Sequence, residues 1–120
     1  MKLALKAPMG VKSLEELTAW QIARAFKLEV YRVVRANTAA NGDLRLRSQL
    51  MEAAASVESN VAEGFERYSA GEFGRFLAFS RASARESLVR LQDGVDRGHF
   101  SPAEIAEAVE LDAGRGTVYA

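Results

Sequence analysis

The chain has 120 residues (13.1 kDa), 48% of them hydrophobic and 27% charged, with 16 basic and 16 acidic side chains and no net charge. That length and composition point to one globular domain and exclude a disordered or collagen-like chain. The lack of cysteine excludes disulfides, thiolate metal sites and thiol catalysis, and the zero balance excludes a uniformly basic nucleic-acid surface.

Residues 1–13 are expected to form a flexible N-terminal segment. Lys6 and Pro8 interrupt its apolar residues, so it lacks the run of a secretory leader. No stretch reaches the roughly 18 uninterrupted apolar residues of a membrane span, and a cytoplasmic location is the simplest expectation. The only prolines are Pro8 and Pro102, which leaves the stretch between them free of the strongest helix breaker. Turn-like clusters at 37–42, 64–69 and 96–101 divide residues 14–120, read as one domain, into four predicted helices: 17–36, 44–63, 70–96 and 102–118.

In the first predicted helix Ile22, Ala23, Phe26, Val30, Val33 and Val34 share one arc. Asp43 is placed to N-cap the second, where Leu46, Leu50, Ala53, Ala54, Val57 and Val61 recur at steps of three and four. Gly64 stands where a left-handed residue should end that helix, and Asn60 where it could satisfy loop backbone groups. Ser69 with Glu72 reads as a capping box for the third, whose stripe is Phe73, Leu77, Ser80, Ala84, Leu88, Leu91 and Val95. The GxxxG pair Gly94 and Gly98 reads as its fraying end. Ser101-Pro102-Ala103-Glu104 caps the fourth, which carries Ile105, Ala108 and Val109 but also two glycines, Gly114 and Gly116. Short connections between long helices favour antiparallel neighbours, hence an all-α, up-down-up-down four-helix bundle.

Several apolar residues fall outside these stripes. Leu17, Leu28 and Tyr31 lie on the polar side of the first helix, Met51, Ala55 and Ala62 on that of the second, and Ala78, Phe79, Ala82 and Val89 on that of the third. A second apolar surface marks a contact between copies, with Leu28, Met51, Ala55, Ala62, Phe79, Ala82 and Val89 as the expected oligomer contacts. The alternative is an ordinary scatter of single surface hydrophobes.

Chemistry-bearing constellations are scarce. His99 is the only histidine; Asp96-x-x-His99 has the spacing of a carboxylate–imidazole pair, but one imidazole completes neither a metal set nor a triad. No Gly-Lys-Ser/Thr follows the glycines, so there is no phosphate loop. No catalytic, cofactor-binding or metal-binding residues are therefore assigned, and an enzyme is not expected. Glu86 with Arg90 and Asp93 with Arg97 read as favourable i,i+4 pairs. Arg24, Arg32 and Arg35 lie along one side of the first helix, and Arg45 and Arg47 open the second, making a local basic patch. With Tyr31 the only aromatic residue among them, this patch suits backbone-only RNA binding, repeated around an oligomer. Its alternative is a solvated face whose arginines pair with acids such as Glu29 and Asp43.

The run Ser59-Asn60-Val61-Ala62-Glu63-Gly64-Phe65-Glu66-Arg67, followed by Ser69, Glu72-Phe73 and Phe76-Leu77, resembles a known signature. Upstream, Leu17 to Ala23, Tyr31, Ser48-Gln49-Leu50 and Ala53 to Ser56 fit the same pattern, as do Ser83 and Glu86 downstream. Over residues 14–100 the chain is similar to the small bacterial four-helix-bundle proteins encoded in 23S ribosomal RNA intervening sequences, a family that includes the accessory variability determinant of diversity-generating retroelements. The resemblance implies bundles assembled into rings of five, without catalytic activity. It also implies a structural role for Ser59, Asn60, Ala62, Glu63, Gly64 and Arg67. The family usually has proline where Glu58 stands here, and its retroelement branch is usually strongly basic, unlike this chain. Two readings follow: a non-enzymatic, self-assembling scaffold whose cellular task the residues do not name, or an RNA or ribonucleoprotein accessory acting through ring-borne arginines.

Overall fold

The computed structural model describes Met1, Leu3, residues 10–67 and residues 69–115, and all regular structure among them is helical. A 3-10 turn, Leu14–Glu16, leads into α1 (Thr18–Ala36), α2 (Thr38–Gly42), α3 (Leu44–Phe65), α4 (Ala70–Asp96) and α5 (Ala106–Asp112). There are thus five helices among the described residues where four were expected. Most of the 1–13 segment and residues 116–118 of the expected last helix lie outside the described residues; Leu3 is buried against the core.

Side-chain caps explain most of the starts. The expected 37–42 turn is helical because Asn37 Oδ1 accepts from Ala40 N at 2.9 Å, giving this short segment its own N-cap. Asp43 caps α3 through Leu46 N at 3.3 Å, and Ser69 caps α4 through Glu72 N at 3.1 Å. Ser101 and Glu104 close a reciprocal capping pair, yet residues 102–105 form turns and the α-helix begins only at Ala106.

Two glycines, Gly98 and Gly114, provide the stops. After α4, Gly98 (φ 82°) donates to Val95 O and His99 N donates to Gly94 O, both at 2.9 Å. This is a Schellman closure rather than a fraying end. Gly114 (φ 82°) ends α5 in the same way, with bonds to Leu111 O and from Arg115 N to Glu110 O, so the helix stops well short of 118. Gly64 does not adopt the expected left-handed geometry. It lies inside the last turn of α3, buried, where a Cβ would stand 2.8 Å from Phe76 Cβ. Its lack of a side chain lets α4 approach.

α3 lies between α1 and α4 and packs along both. Gly64 meets Phe73, Ser80 Oγ donates to Val57 O at 2.6 Å, and Arg97 reaches Asp43 at 3.2 Å, so α3 and α4 run antiparallel along their whole length. Phe26, Val30, Val34, Leu50, Val57, Val61, Phe73, Leu77 and Leu91 fill the core. Leu17, read as outward-facing, is buried with them as the residue that joins the 3-10 turn to α1. Between α3 and α4 runs a seam of small polar residues: Ser83 Oγ bonds Ser56 Oγ at 2.9 Å, and buried Ser87 bonds Ser83 O at 2.9 Å. Each hydroxyl there has a partner, so burial leaves no unmet polar group in the seam.

Asp43 also ties the far end of the hairpin together. Its Oδ2 accepts from His99 Nε2 at 2.9 Å and from Arg97 at 3.2 Å. The bond from His99, foremost, holds the Asp43 carboxyl below its ordinary range; Glu104 is lowered too, first by Ser101 N–H and then by Asn37. A carboxylate with a lowered folded pKa contributes stability above its unfolded value of about 4, and that contribution vanishes as pH falls through the folded value. Asp43→Asn retains a capping oxygen but loses the charge. Denaturation should therefore show it less stable than wild type at neutral pH, with the gap narrowing as pH falls through the carboxylate range. A gap independent of pH would remove the charge from the explanation.

Candidate functional site

The outward face of α1 carries cations laid over aromatic rings, one helical turn apart. The Arg24 guanidinium lies 5.7 Å from the Trp20 ring centroid, and Lys27 and Arg35 lie 5.9 and 5.5 Å from that of Tyr31. Trp20, one helical turn before Arg24, is thus a second aromatic interleaved with these cations, beside Tyr31. Glu58 of α3 faces the same stripe, 3.3 Å from Lys27 Nζ and 3.8 Å from Arg24.

The five arginines of the expected patch separate into different environments. Arg32 is engaged by both oxygens of Glu29, at 2.8 and 2.7 Å, and that hydrogen bonding raises its pKa above the ordinary value. It lines a small cavity of about 120 Å³ with Val33, Ala36, Ala103 and Glu104, on the side of α1 away from the aromatic stripe. Arg45 and Arg47 are exposed, and no acid among the described residues pairs with them or with Arg35. The expected alternative, pairing with acids such as Glu29 and Asp43, holds for Arg32 with Glu29 and for Arg24 with Glu58; Asp43 takes Arg97 and His99 instead.

The expected oligomer contacts are spread over α1, α3 and α4. Leu28, Phe79 and Val89 are 45%, 43% and 58% exposed, Ala82 is exposed, and Met51, Ala55 and Ala62 are half-buried. Phe79, Ala82 and Val89 lie on the side of α4 opposite the residues it buries against α3. Leu28 lies on α1, and Met51, Ala55 and Ala62 lie on α3. Leu44, 70% exposed at the start of α3, was missed; it borders a shallow groove of about 410 Å³ with Arg47, Ser48, Met51 and Glu52.

The Ser59–Arg67 run occupies the end of α3 that meets α4. Ser59 Oγ reaches Ser56 O at 3.4 Å, and Asn60 Nδ2 donates to Ser56 O and Ser56 Oγ, both at 2.9 Å, rather than to a loop. Arg67 pairs with Glu63 and lies 4.9 Å from the Phe76 ring centroid. Arg75 lies 5.3 Å from the Phe79 ring centroid, and Phe79 meets Phe76 edge-on.

His99 is committed to the junction with Asp43, and its carbonyl accepts from Asn37 Nδ2 at 2.6 Å. Asp96, its expected partner by spacing, instead accepts from Gln92 at 3.1 Å. Among the described residues, no group of three or more His, Asp or Glu converges as metal ligands would, and no helix is long and apolar enough to cross a membrane.

A family model described as 23S rRNA-intervening sequence protein matches residues 15–112. The chain belongs to the 23S rRNA-intervening sequence protein family. The match begins in the 3-10 turn and ends on Asp112, the last residue of α5, so it takes in every helix from α1 to α5. Within this 23S rRNA-intervening sequence member, both the cation–aromatic stripe and the outward apolar residues lie inside the matched region. No curated protein and no solved structure matches the chain.

Proposed function

We propose that the chain is a cytoplasmic, non-catalytic scaffold that assembles with copies of itself, each subunit an antiparallel up-down-up-down bundle of α1, α3, α4 and the short α5. One observation carries this reading: Leu28, Leu44, Phe79 and Val89 project large apolar side chains from helix faces turned away from the core. Each buries favourably only against another molecule, at about 25 cal/mol per Å² of apolar surface covered. Five copies is the number the family resemblance implies. Light scattering at micromolar protein should give a mass several times 13.1 kDa. A monomer at that concentration would remove the scaffold reading.

A second reading, an RNA or ribonucleoprotein accessory, is favoured by the exposed Arg35, Arg45 and Arg47, which have no acidic partner among the described residues, and by the stacking of Arg35 on the Tyr31 ring. A stacked guanidinium is held in place with its donors free for phosphate. Fluorescence anisotropy with a structured RNA should show binding that weakens with salt. Replacing Arg35, Arg45 and Arg47 by alanine should reduce the slope of log affinity against log salt by about 2–3 per subunit engaged. Arg32→Ala should leave it unchanged, since Glu29 already occupies that guanidinium. Equal losses in both variants would reject this reading.

A further inference from the structure

Glu58 stands where a bound anion would. Arg24 and Lys27, on successive turns of α1, converge on a single oxygen supplied by α3: Glu58 Oε1 lies 3.3 Å from Lys27 Nζ and 3.8 Å from Arg24 Nη1. The Lys27 and Glu58 side chains are only 15% and 20% exposed, while Arg24 is 46% exposed, so a mostly covered ion pair has a second cation at its open rim. Each cation is backed by a ring, Trp20 for Arg24 and Tyr31 for Lys27, and Arg35 continues the row over the same Tyr31 ring. From Arg24 to Arg35 the row runs about 17 Å at roughly 1.5 Å per residue. Three cations thus share one acid, and the row keeps a positive excess.

We propose that Arg24 and Lys27 form a phosphate site that Glu58 holds closed, its carboxylate acting as a built-in competitor for the phosphate oxygen. The site deepens the RNA-accessory reading and rests on it for its natural ligand, a chain of phosphates. A tethered carboxylate competes well against one free phosphate, because it loses no translational freedom in taking its place. A strand already engaged at Arg35 presents its next phosphate at a high effective concentration and can displace the carboxylate. Glu58 thereby rejects isolated phosphate and admits a phosphate chain, which is specificity through a repulsive element. Without Glu58, the mostly covered Lys27 ammonium loses its counter-charge, a costly arrangement that an incoming anion relieves.

Glu58→Gln in the full chain tests this, with Glu86→Gln on α4 removing the same charge elsewhere. Thermal melts by circular dichroism should place Glu58→Gln below wild type. Inorganic pyrophosphate should then raise its midpoint by more than it raises that of wild type or of Glu86→Gln. In fluorescence anisotropy with the structured RNA, Glu58→Gln should bind more tightly than wild type. Its slope of log affinity against log salt should be steeper by about 1–2, at roughly 0.9 per phosphate neutralised. Adding Lys27→Gln to Glu58→Gln should remove most of both gains. If Glu58→Gln does not fold, Glu58→Asp, whose carboxylate reaches one methylene less far, should shift both readouts in the same direction by less. Equal pyrophosphate shifts in Glu58→Gln and wild type, or an equal gain from Glu86→Gln, would overturn the masked site. A pyrophosphate gain confined to Glu58→Gln, with no RNA binding by either protein, would keep the site and overturn the RNA reading.

Discussion

Replacing Gly64 with alanine is expected to destabilise the protein by about 1–2 kcal/mol, although alanine is the better helix former. In a helix interior alanine is favoured over glycine by about 1 kcal/mol. Against that gain, the added Cβ would stand 2.8 Å from Phe76 Cβ and 3.3 Å from Phe73 Cδ1. Phe76 Cβ is fixed to its own backbone, so the overlap is relieved only by moving α4, and overpacking of this kind costs about 1–3 kcal/mol or more. Denaturant unfolding should show a lower midpoint with an unchanged slope. Gly74 supplies the opposite sign. It is also helical, but an added Cβ there meets nothing within 4 Å, so Gly74→Ala should stabilise by up to about 1 kcal/mol. A stabilising Gly64→Ala would mean that the spacing of α3 and α4 is not set at this residue.

Phe100→Ala should cost still more, about 3–5 kcal/mol, as for other buried aromatic truncations. Phe100 is 4% exposed and its ring covers Gly94, where an added Cβ would come within 2.5 Å of Cδ2 and 2.6 Å of Cε2. The residue lies between the Schellman turn of α4 and the start of α5, so its loss should also raise amide hydrogen exchange in α5 before the rest of the chain opens. Gly94→Ala alone clashes with the ring. In the Phe100→Ala background the same methyl projects into vacated space, so the double variant should be more stable than the sum of the two losses by about 1–2 kcal/mol. Strict additivity would argue that the ring does not pack on Gly94.

The sequence made the helix interiors readable because apolar spacing records which side of a helix meets the core. The 70–96 helix is delimited at both ends by residues with a local mechanism, Ser69 as cap and Gly98 as the left-handed stop, although the Gly94/Gly98 spacing alone reads as a frayed end. Glycine was the main source of error because its letter does not say why a side chain is missing. At Gly64 the expected positive φ gives way to a neighbour's proximity, while Gly114, which with Gly116 puts the last turns of the fourth predicted helix in question, does mark its stop. Asn37 was read as a turn residue, and turn and short-helix caps use the same side-chain bond. Among the arginines, the pairing of Arg32 with Glu29 was legible as an i,i+3 neighbour, whereas spacing alone could not reveal that Arg97 and His99 would take Asp43. That depends on rotamers set by the surrounding helices. The outward exposure of Leu28, Phe79 and Val89 was legible from the helical wheel, whereas the burial of Leu17 depended on how the chain enters α1.

Gly64 is the only glycine in α3, and Phe76 of α4 is seated over it. Sliding α4 one turn along its neighbour would carry Phe76 onto Asn60, which has a Cβ in the way, or past the end of α3. The hairpin therefore has a single register, like a key with one notch, and one-turn ratcheting of the kind some allosteric interfaces use is closed to it. Any rearrangement that keeps the α3–α4 hairpin intact must then move the pair as one rigid body.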